Sequence, residues 1–234
     1  MGATKQTARI AGIIYLLFVF AGVFSLMYVP GQLIVAGDAA ATASNILAHQ
    51  TLIWLDLAVG LISTLIFLLA ALTLYQLLKD VNRQAAALMV ILVLIQLPQG
   101  FVSQLLQFGS LELVRGDGFL SAMDKAQRET LAMLCIHLNA KGKILSEFFW
   151  GVWLFPLGVL VYRSGFLPRF LGVWLVLNGV AYVAMCFMNL FLPQYNDAVF
   201  KIAFPAMLGE MALMVVLLFV GFRRKELAIP NGRL

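Results

Sequence analysis

The sequence predicts an all-α fold, a polytopic membrane helix bundle with six transmembrane helices, and two observations lead to this prediction. The residues are 62% hydrophobic and only 12% charged, whereas about a quarter of the residues of a soluble domain are charged. In addition, six apolar stretches reach about 20 residues or more, the length that a bilayer span requires. These stretches are 10–29, 51–78, 85–108, 143–162, 170–192 and 202–222. We therefore expect residues 1–234 to form a single six-helix transmembrane domain.

The six stretches are expected to be helical because lipid offers the backbone no hydrogen-bonding partner, so each stretch must satisfy its own N–H and C=O groups. The first stretch follows Lys5 and Arg9, as the apolar part of a signal peptide follows its basic residues. No small-residue cleavage site comes after it, and the stretch is long enough to span a bilayer. We therefore expect it to be a retained first helix.

The connection between the first two spans, residues 30–50, is longer than a turn requires. It contains Asp38 and Thr42, either of which has a side chain suited to capping a short helix. The residues that follow are rich in alanine. The pattern predicts a short helix lying along the membrane surface.

The connection at residues 109–140 is longer still. An RGDG turn is followed by Ser121 and, three residues later, by Asp124, a spacing that resembles a capping box. Beyond it, leucine and methionine residues recur near helical spacing, opposite Lys125 and Arg128. The pattern predicts an outer amphipathic helix at the membrane surface that runs into the fourth span.

The distribution of basic residues predicts that both termini are cytoplasmic, because cytoplasmic loops of membrane proteins carry an excess of Lys and Arg. One alternating set of segments holds ten of the 16 basic residues and only two acids, Asp80 and Glu226. In the other set, basic and acidic residues balance. The basic residues of the first set are Lys5, Arg9, Lys79, Arg83, Arg163, Arg169, Arg223, Arg224, Lys225 and Arg233.

Three acidic residues lie inside predicted spans, where ionisable groups are costly and therefore candidates for function. At about 1.5 Å per helical residue, Glu210 lies roughly 20 Å along the helix from Arg223, which places it deepest. Glu147 is expected in the outer half of the fourth span and Asp56 close to the outer surface. Because no basic residue lies at the depth of Glu210, its carboxyl should be protonated or hydrogen-bonded to a neighbouring Asn, Gln or Tyr.

Polar residues at three- and four-residue spacing form stripes on three predicted helices. Asn139, Lys143 and Glu147 share one face of the fourth span, and the third and fifth spans carry similar stripes. Since lipid offers these groups no partner, the stripes should face one another around a polar pocket open to the outside. The candidate ligand- or ion-binding residues are Glu210, Glu147, Asp56, Lys143, Asn139, Gln99 and Asn178. Alternatively, these groups form inter-helical hydrogen bonds that only stabilise the bundle.

No motif for catalysis, metal binding or nucleotide binding occurs in the chain. The two histidines, His49 and His137, lie in or beside different outer loops and provide too few ligands for haem or zinc. The net charge of +5 is spread over loops and does not indicate nucleic-acid binding. We therefore expect no cofactor, no metal and no nucleic-acid partner.

Several segments resemble a family of bacterial integral membrane proteins known only as domain of unknown function 4386. They include RIAGIIYL at 9–16, VAGDAAATASNILAH at 35–49, YQLLKDVNR at 75–83, FFWGVWLFPLGVLVYRSGFLPRFLG at 148–172 and GEMALMVV at 209–216. Where the family has a histidine, this chain has Asn139. The resemblance therefore implies no role for the nearby His137. The resemblance implies six helices and a bacterial inner membrane, and it brings no established activity.

Three functional classes fit the sequence. The outward polar pocket favours binding or transport of a small solute or ion, in which case a homodimer is expected because six helices are few for a carrier. The absence of motifs and the large apolar surfaces also fit an accessory subunit of a larger membrane complex. An intramembrane lipid-modifying enzyme needs a metal cluster or a nucleophile–base pair, neither of which is evident, so we expect a protein without enzymatic activity.

Overall fold

The computed structural model describes residues 2–220 of the chain, with side chains from 6 to 219. These residues are almost entirely helical and include no strand. The α-helices are α1 (Gly2–Val23), α2 (Val29–Leu33), α3 (Ala39–Ala48), α4 (Gln50–Leu78), α5 (Arg83–Arg115), α6 (Lys125–Val152), α7 (Leu154–Arg163), α8 (Arg169–Phe191) and α9 (Asn196–Val220). A π-helical segment, Phe24–Tyr28, joins α1 to α2, and short 3-10 helices occupy Gly118–Ala122 and Pro193–Tyr195.

Six helical segments are long and apolar enough to cross a membrane, which confirms the predicted fold class and makes this a multi-pass membrane protein. They are Gln6–Leu33, Gln50–Leu78, Arg83–Arg115, Lys125–Arg163, Arg169–Phe191 and Pro193–Phe219. Each span packs against the next one along the chain, and α9 closes the bundle against α1. The predicted end of the sixth span at residue 222 and the basic residues from Arg223 onward lie outside the described residues.

The third and fourth spans extend further than their apolar stretches indicated. At about 1.5 Å per residue, the 33 residues of α5 measure roughly 50 Å, well beyond the ~30 Å hydrocarbon core. Helix α5 begins behind Asn82, whose side chain accepts a hydrogen bond from Ala85 N, and it ends at Gly116 with the left-handed φ of 70°. Its far end pairs with the first half of α6.

The predicted amphipathic helix is confirmed as the first half of α6, which continues without a break into the fourth span. It also packs against α5 and α3, contacts that its sequence did not indicate. The capping box placed at Ser121 is wrong: Ser121 lies in a 3-10 turn and donates to Gly118 O. Asp124 is the N-cap and accepts from Gln127 N at 2.8 Å.

The short Ala-rich helix is confirmed as α3, and Asp38 is its N-cap, accepting from Ala41 N at 2.9 Å. Thr42 instead exchanges hydrogen bonds with the backbone of Val35. Helices α2 and α3 and the adjoining ends of α4, α5 and α6 share a small apolar core that includes Leu33, Ile46 and Leu111. We call this assembly the cap.

The main core lies below the cap and is centred on Trp153, which is only 2% exposed. The Trp153 ring meets the edges of Tyr15 from α1 and Phe67 from α4, at centroid distances of 6.3 and 5.2 Å. It lies where α6 ends and α7 begins, just before Pro156. One aromatic residue at this break therefore contacts two spans on the opposite side of the bundle.

Paired glycines let the fourth and fifth spans approach closely. A Cβ placed on Gly151 would lie 2.6 Å from Gly179 O, and a Cβ placed on Gly158 would lie 2.7 Å from Gly172 O. Both spans carry their glycines seven residues apart, so the two contacts recur along one antiparallel interface. Small residues of this kind bring helix backbones together in membrane proteins.

Candidate functional site

A cavity of about 250 Å³ lies beneath the cap, between the ends of the first four spans. Its walls combine apolar side chains from α2, α3 and α4 with polar side chains from the π-helical segment, α4, α5 and α6. The polar lining residues are Ser25, Asp56, Gln107, Ser110, Asn139 and Lys143. We call this space the cap cavity.

Asp56 is the acidic group of the cap cavity and is only 6% exposed. It lies two turns into α4 and accepts two hydrogen bonds, one from Ser25 Oγ and one from Gln107 Nε2 at 2.7 Å. Ser25 belongs to the π-helical segment of the first span, a helix irregularity often found at functional sites. The carboxylate is thus held by donors from two other spans and keeps a position on the cavity wall.

Lys143 supplies a positive charge to the same cavity. It projects from α6, where the charge of Asp56 acts on its ammonium group, yet no salt bridge joins the two among residues 6–219. Asn139, one turn earlier, lies beside the cavity and donates to Ser103 O at 2.6 Å. The cavity therefore presents a carboxylate and an ammonium that do not neutralise each other by direct contact.

Gln99 lies outside the cap cavity lining and joins α5 to α6. Its Nε2 donates to Gly142 O at 2.8 Å and to Ser103 Oγ at 3.1 Å, while its Oε1 accepts from Ser146 Oγ. Both the nitrogen and the oxygen of this amide therefore have hydrogen-bond partners. Gln99 forms inter-helical hydrogen bonds of the kind that hold membrane bundles together.

Glu147 lies one turn below Lys143 on α6 and is partly buried. It accepts a hydrogen bond of 3.2 Å from Asn189 Nδ2, which links α6 to α8. Its charge also acts on Tyr182, which lies two turns before Asn189 in α8. Glu147 therefore faces the bundle and not the lipid.

Glu210 lies near the middle of α9, where it faces α1 and α8. Tyr15 of α1, only 3% exposed, donates a hydrogen bond to Glu210 Oε1. Tyr182 and Asn178 face the same carboxyl from α8. Asn178 is fully buried, and its Nδ2 donates to Met207 O at 3.4 Å. We call Glu210, Tyr15, Tyr182 and Asn178 the deep cluster.

A family model for the domain of unknown function DUF4386 matches residues 10–221. The chain belongs to this family. No curated protein and no solved structure matches it. The family assignment confirms the resemblance noted from the sequence, and DUF4386 by its description carries no assigned activity.

In this DUF4386 protein the seven candidate residues fall into separate groups, not around one common space. Asp56, Lys143 and Asn139 share the cap cavity. The other four lie outside its lining: Gln99 in the α5–α6 contact, Glu147 in the α6–α8 contact, and Glu210 and Asn178 in the deep cluster.

Ser25 and Tyr15, which lie in the mostly apolar first span of this DUF4386 chain, were not predicted as site residues, yet each donates to a carboxyl on another span. A serine in an apolar span is a weak signal, because its hydroxyl also commonly donates to its own helix backbone. No group of three or more His, Cys, Asp or Glu side chains suited to a metal ion occurs in the part of the chain that the structure describes.

Proposed function

We propose that this protein binds a small solute in the cap cavity and serves as a carrier or receptor in a bacterial inner membrane, with both termini in the cytoplasm. The observation that carries the proposal is that buried Asp56 of α4 and Lys143 of α6 both line the cap cavity without a salt bridge between them. Two opposite charges kept apart around one cavity suit a ligand that contacts both.

The lining supports a particular ligand chemistry. Asp56 suits an ammonium or another hydrogen-bond donor, whereas Lys143 suits a carboxylate or another acceptor. The apolar part of the lining includes Val29, Leu33 and Ile46. The volume of about 250 Å³ is somewhat below the usual ~300–1,000 Å³ range of drug-sized pockets. We infer a small zwitterion or polar-headed molecule with a short apolar group.

Thermal stability in detergent tests the proposal with a panel of amino acids, zwitterionic betaines, short-chain amines and short-chain fatty acids. A ligand present at 100 times its Kd stabilises the folded state by about 2.7 kcal/mol. For a chain of this length that is a rise in Tm of about 5–10 °C. We expect at least one zwitterion to produce such a rise in the unmodified protein.

Matched variants locate the binding site. Asp56→Asn and Lys143→Gln should each reduce the ligand-dependent rise in Tm by removing one charged contact. Lys141→Gln is the control for the lysine, because Lys141 lies on the same helix but is exposed. Asp80→Asn is the control for the acid, because Asp80 is exposed in the α4–α5 turn. No stabilisation by any panel member, or equal stabilisation of all four variants, contradicts the proposal.

A further inference from the structure

The deep cluster contains a buried acceptor without a donor. Asn178 is 0% exposed, and its Oδ1 has no hydrogen-bond partner. The Nδ2 group of this amide donates to Met207 O, 3.4 Å away, which leaves Oδ1 on the other side of the amide as the free acceptor. A buried acceptor left unpaired costs about 1–3 kcal/mol. The structure therefore leaves a place at Asn178 for one more hydrogen.

The carboxyl group of Glu210 lies beside this acceptor and has no positive partner. No salt bridge to Glu210 occurs among residues 6–219. The groups that face it are Tyr15 from α1 and Asn178 and Tyr182 from α8, all uncharged, while Glu147 of α6 adds a negative charge near Tyr182. The tyrosine hydroxyls can donate to the carboxyl, but an ionised carboxylate inside a span is still costly when no cation lies beside it.

We propose that Glu210 is a proton-binding site at the centre of the membrane and that Asn178 is the acceptor for the bound proton. The carboxylate takes one proton from a hydronium ion: an O–H bond forms on Glu210, one O–H bond of the hydronium ion breaks, and a water molecule is released. The resulting hydroxyl donates to Asn178 Oδ1, while the remaining oxygen still accepts from Tyr15. One proton thus removes the charge between the helices and satisfies the buried acceptor.

Binding of this proton to Glu210 also affects how α9 packs against α8. Two hydrogen bonds already join these helices: Trp174 Nε1 donates to Pro205 O at 3.1 Å, and Asn178 Nδ2 donates to Met207 O. Loss of the proton leaves a charge on α9 and removes the proposed bond from the Glu210 hydroxyl to Asn178 of α8. The site therefore couples proton release to loosening of this helix. It does not depend on the solute proposed for the cap cavity.

Infrared difference spectroscopy of the protein in liposomes tests the site, because a protonated carboxyl has a C=O stretching band that a carboxylate lacks. We expect a band that disappears as pH is raised and that shifts in D2O. Glu210→Gln should lack it, whereas Glu147→Gln, the matched control on α6, should keep it. Asn178→Leu should keep the band but move it to higher frequency, because the hydroxyl loses its acceptor.

The Asn178→Leu measurement keeps the test decisive if Glu210→Gln fails to fold, since an unshifted band in that variant contradicts the proposal. Absence of the band throughout the pH series contradicts it, as does survival of the band in Glu210→Gln. A further series at constant pH replaces choline chloride by sodium chloride. Loss of the band on addition of sodium would show a cation site in place of the proton site and would overturn the inference.

Discussion

Substituting alanine for Gly158 should separate the fourth and fifth spans. An added Cβ would lie 2.7 Å from both Gly172 O and Val176 Cγ2, whereas ordinary van der Waals contact begins at 3.4 Å. The carbonyl oxygen belongs to the helix backbone and cannot rotate away. Helices α7 and α8 must therefore move apart by about 0.7 Å at this point.

The cost follows from overpacking a tight contact. Forcing an extra methyl group into a well-packed interface typically costs about 1–3 kcal/mol. At about 2–4 °C of Tm per kcal/mol for a chain of this size, we expect Gly158→Ala to unfold roughly 5 °C below the unmodified protein. The measurement is thermal unfolding of the purified protein in one detergent.

Gly100→Ala provides the matched control. Gly100 lies within α5, and a Cβ added there would meet no atom within 4 Å. The same substitution should therefore raise stability by about 0.5–1 kcal/mol, because alanine favours the helix over glycine. The reasoning is refuted if the two alanine variants melt at the same temperature, or if Gly158→Ala is the more stable one.

Three further predictions concern the cap and the orientation of the chain. Asp38→Ala should lower stability by about 1 kcal/mol through loss of the α3 N-cap, Asp38→Asn should retain most of it, and hydrogen exchange in α3 measures the difference. Gln107→Leu should destabilise by about 1–3 kcal/mol because it leaves the Asp56 carboxylate short of a donor, whereas adding Asp56→Leu should recover part of the loss in a double-mutant cycle. In a background lacking Cys135 and Cys186, Asp38→Cys should react with an impermeant thiol reagent applied to intact cells, and reaction only from the cytoplasmic side contradicts the proposed topology.

The spans were predictable because their cause is local. A continuous apolar run long enough for the bilayer must be helical, and this holds before any tertiary contact is known. The N-cap of α3 was predictable for the same reason, since Asp38 acts on a backbone group three residues away. The first half of α6 was predictable as an amphipathic helix because its helical period is also local. Its packing against α5 and α3 was not predictable, since an amphipathic pattern does not say which neighbour covers the apolar face.

The candidate sites were predictable in composition but not in grouping. Asp56 and Gln107 are 51 residues apart, and Tyr15 and Glu210 are 195 apart. Such pairs depend on how the spans are rotated about their axes, which a stripe of polar residues constrains only loosely. The glycines spaced by seven on two successive spans were visible in the sequence. That these glycines face each other depends on the antiparallel register of the fourth and fifth spans, which the sequence does not give.

Helix irregularities coincide with the polar groups in three of the described spans. Ser25 lies in the π-helical segment of the first span, Gln99 directly follows Pro98 in α5, and Glu210 lies five residues after Pro205 in α9. Inside a membrane, an interrupted helix needs neighbouring groups to satisfy the freed backbone, so irregularities persist only where the bundle supplies them.

The polar contacts in turn hold the irregular regions against neighbouring helices, as when Trp174 of α8 donates to Pro205 O. A helix weakened at such a point bends at lower cost than a regular one. The cap cavity, under the π-helical segment, and the deep cluster, beside Pro205, therefore both lie where this bundle can change shape. If ligand binding at the first site and proton release at the second are to move the helices, both sites must lie at such points.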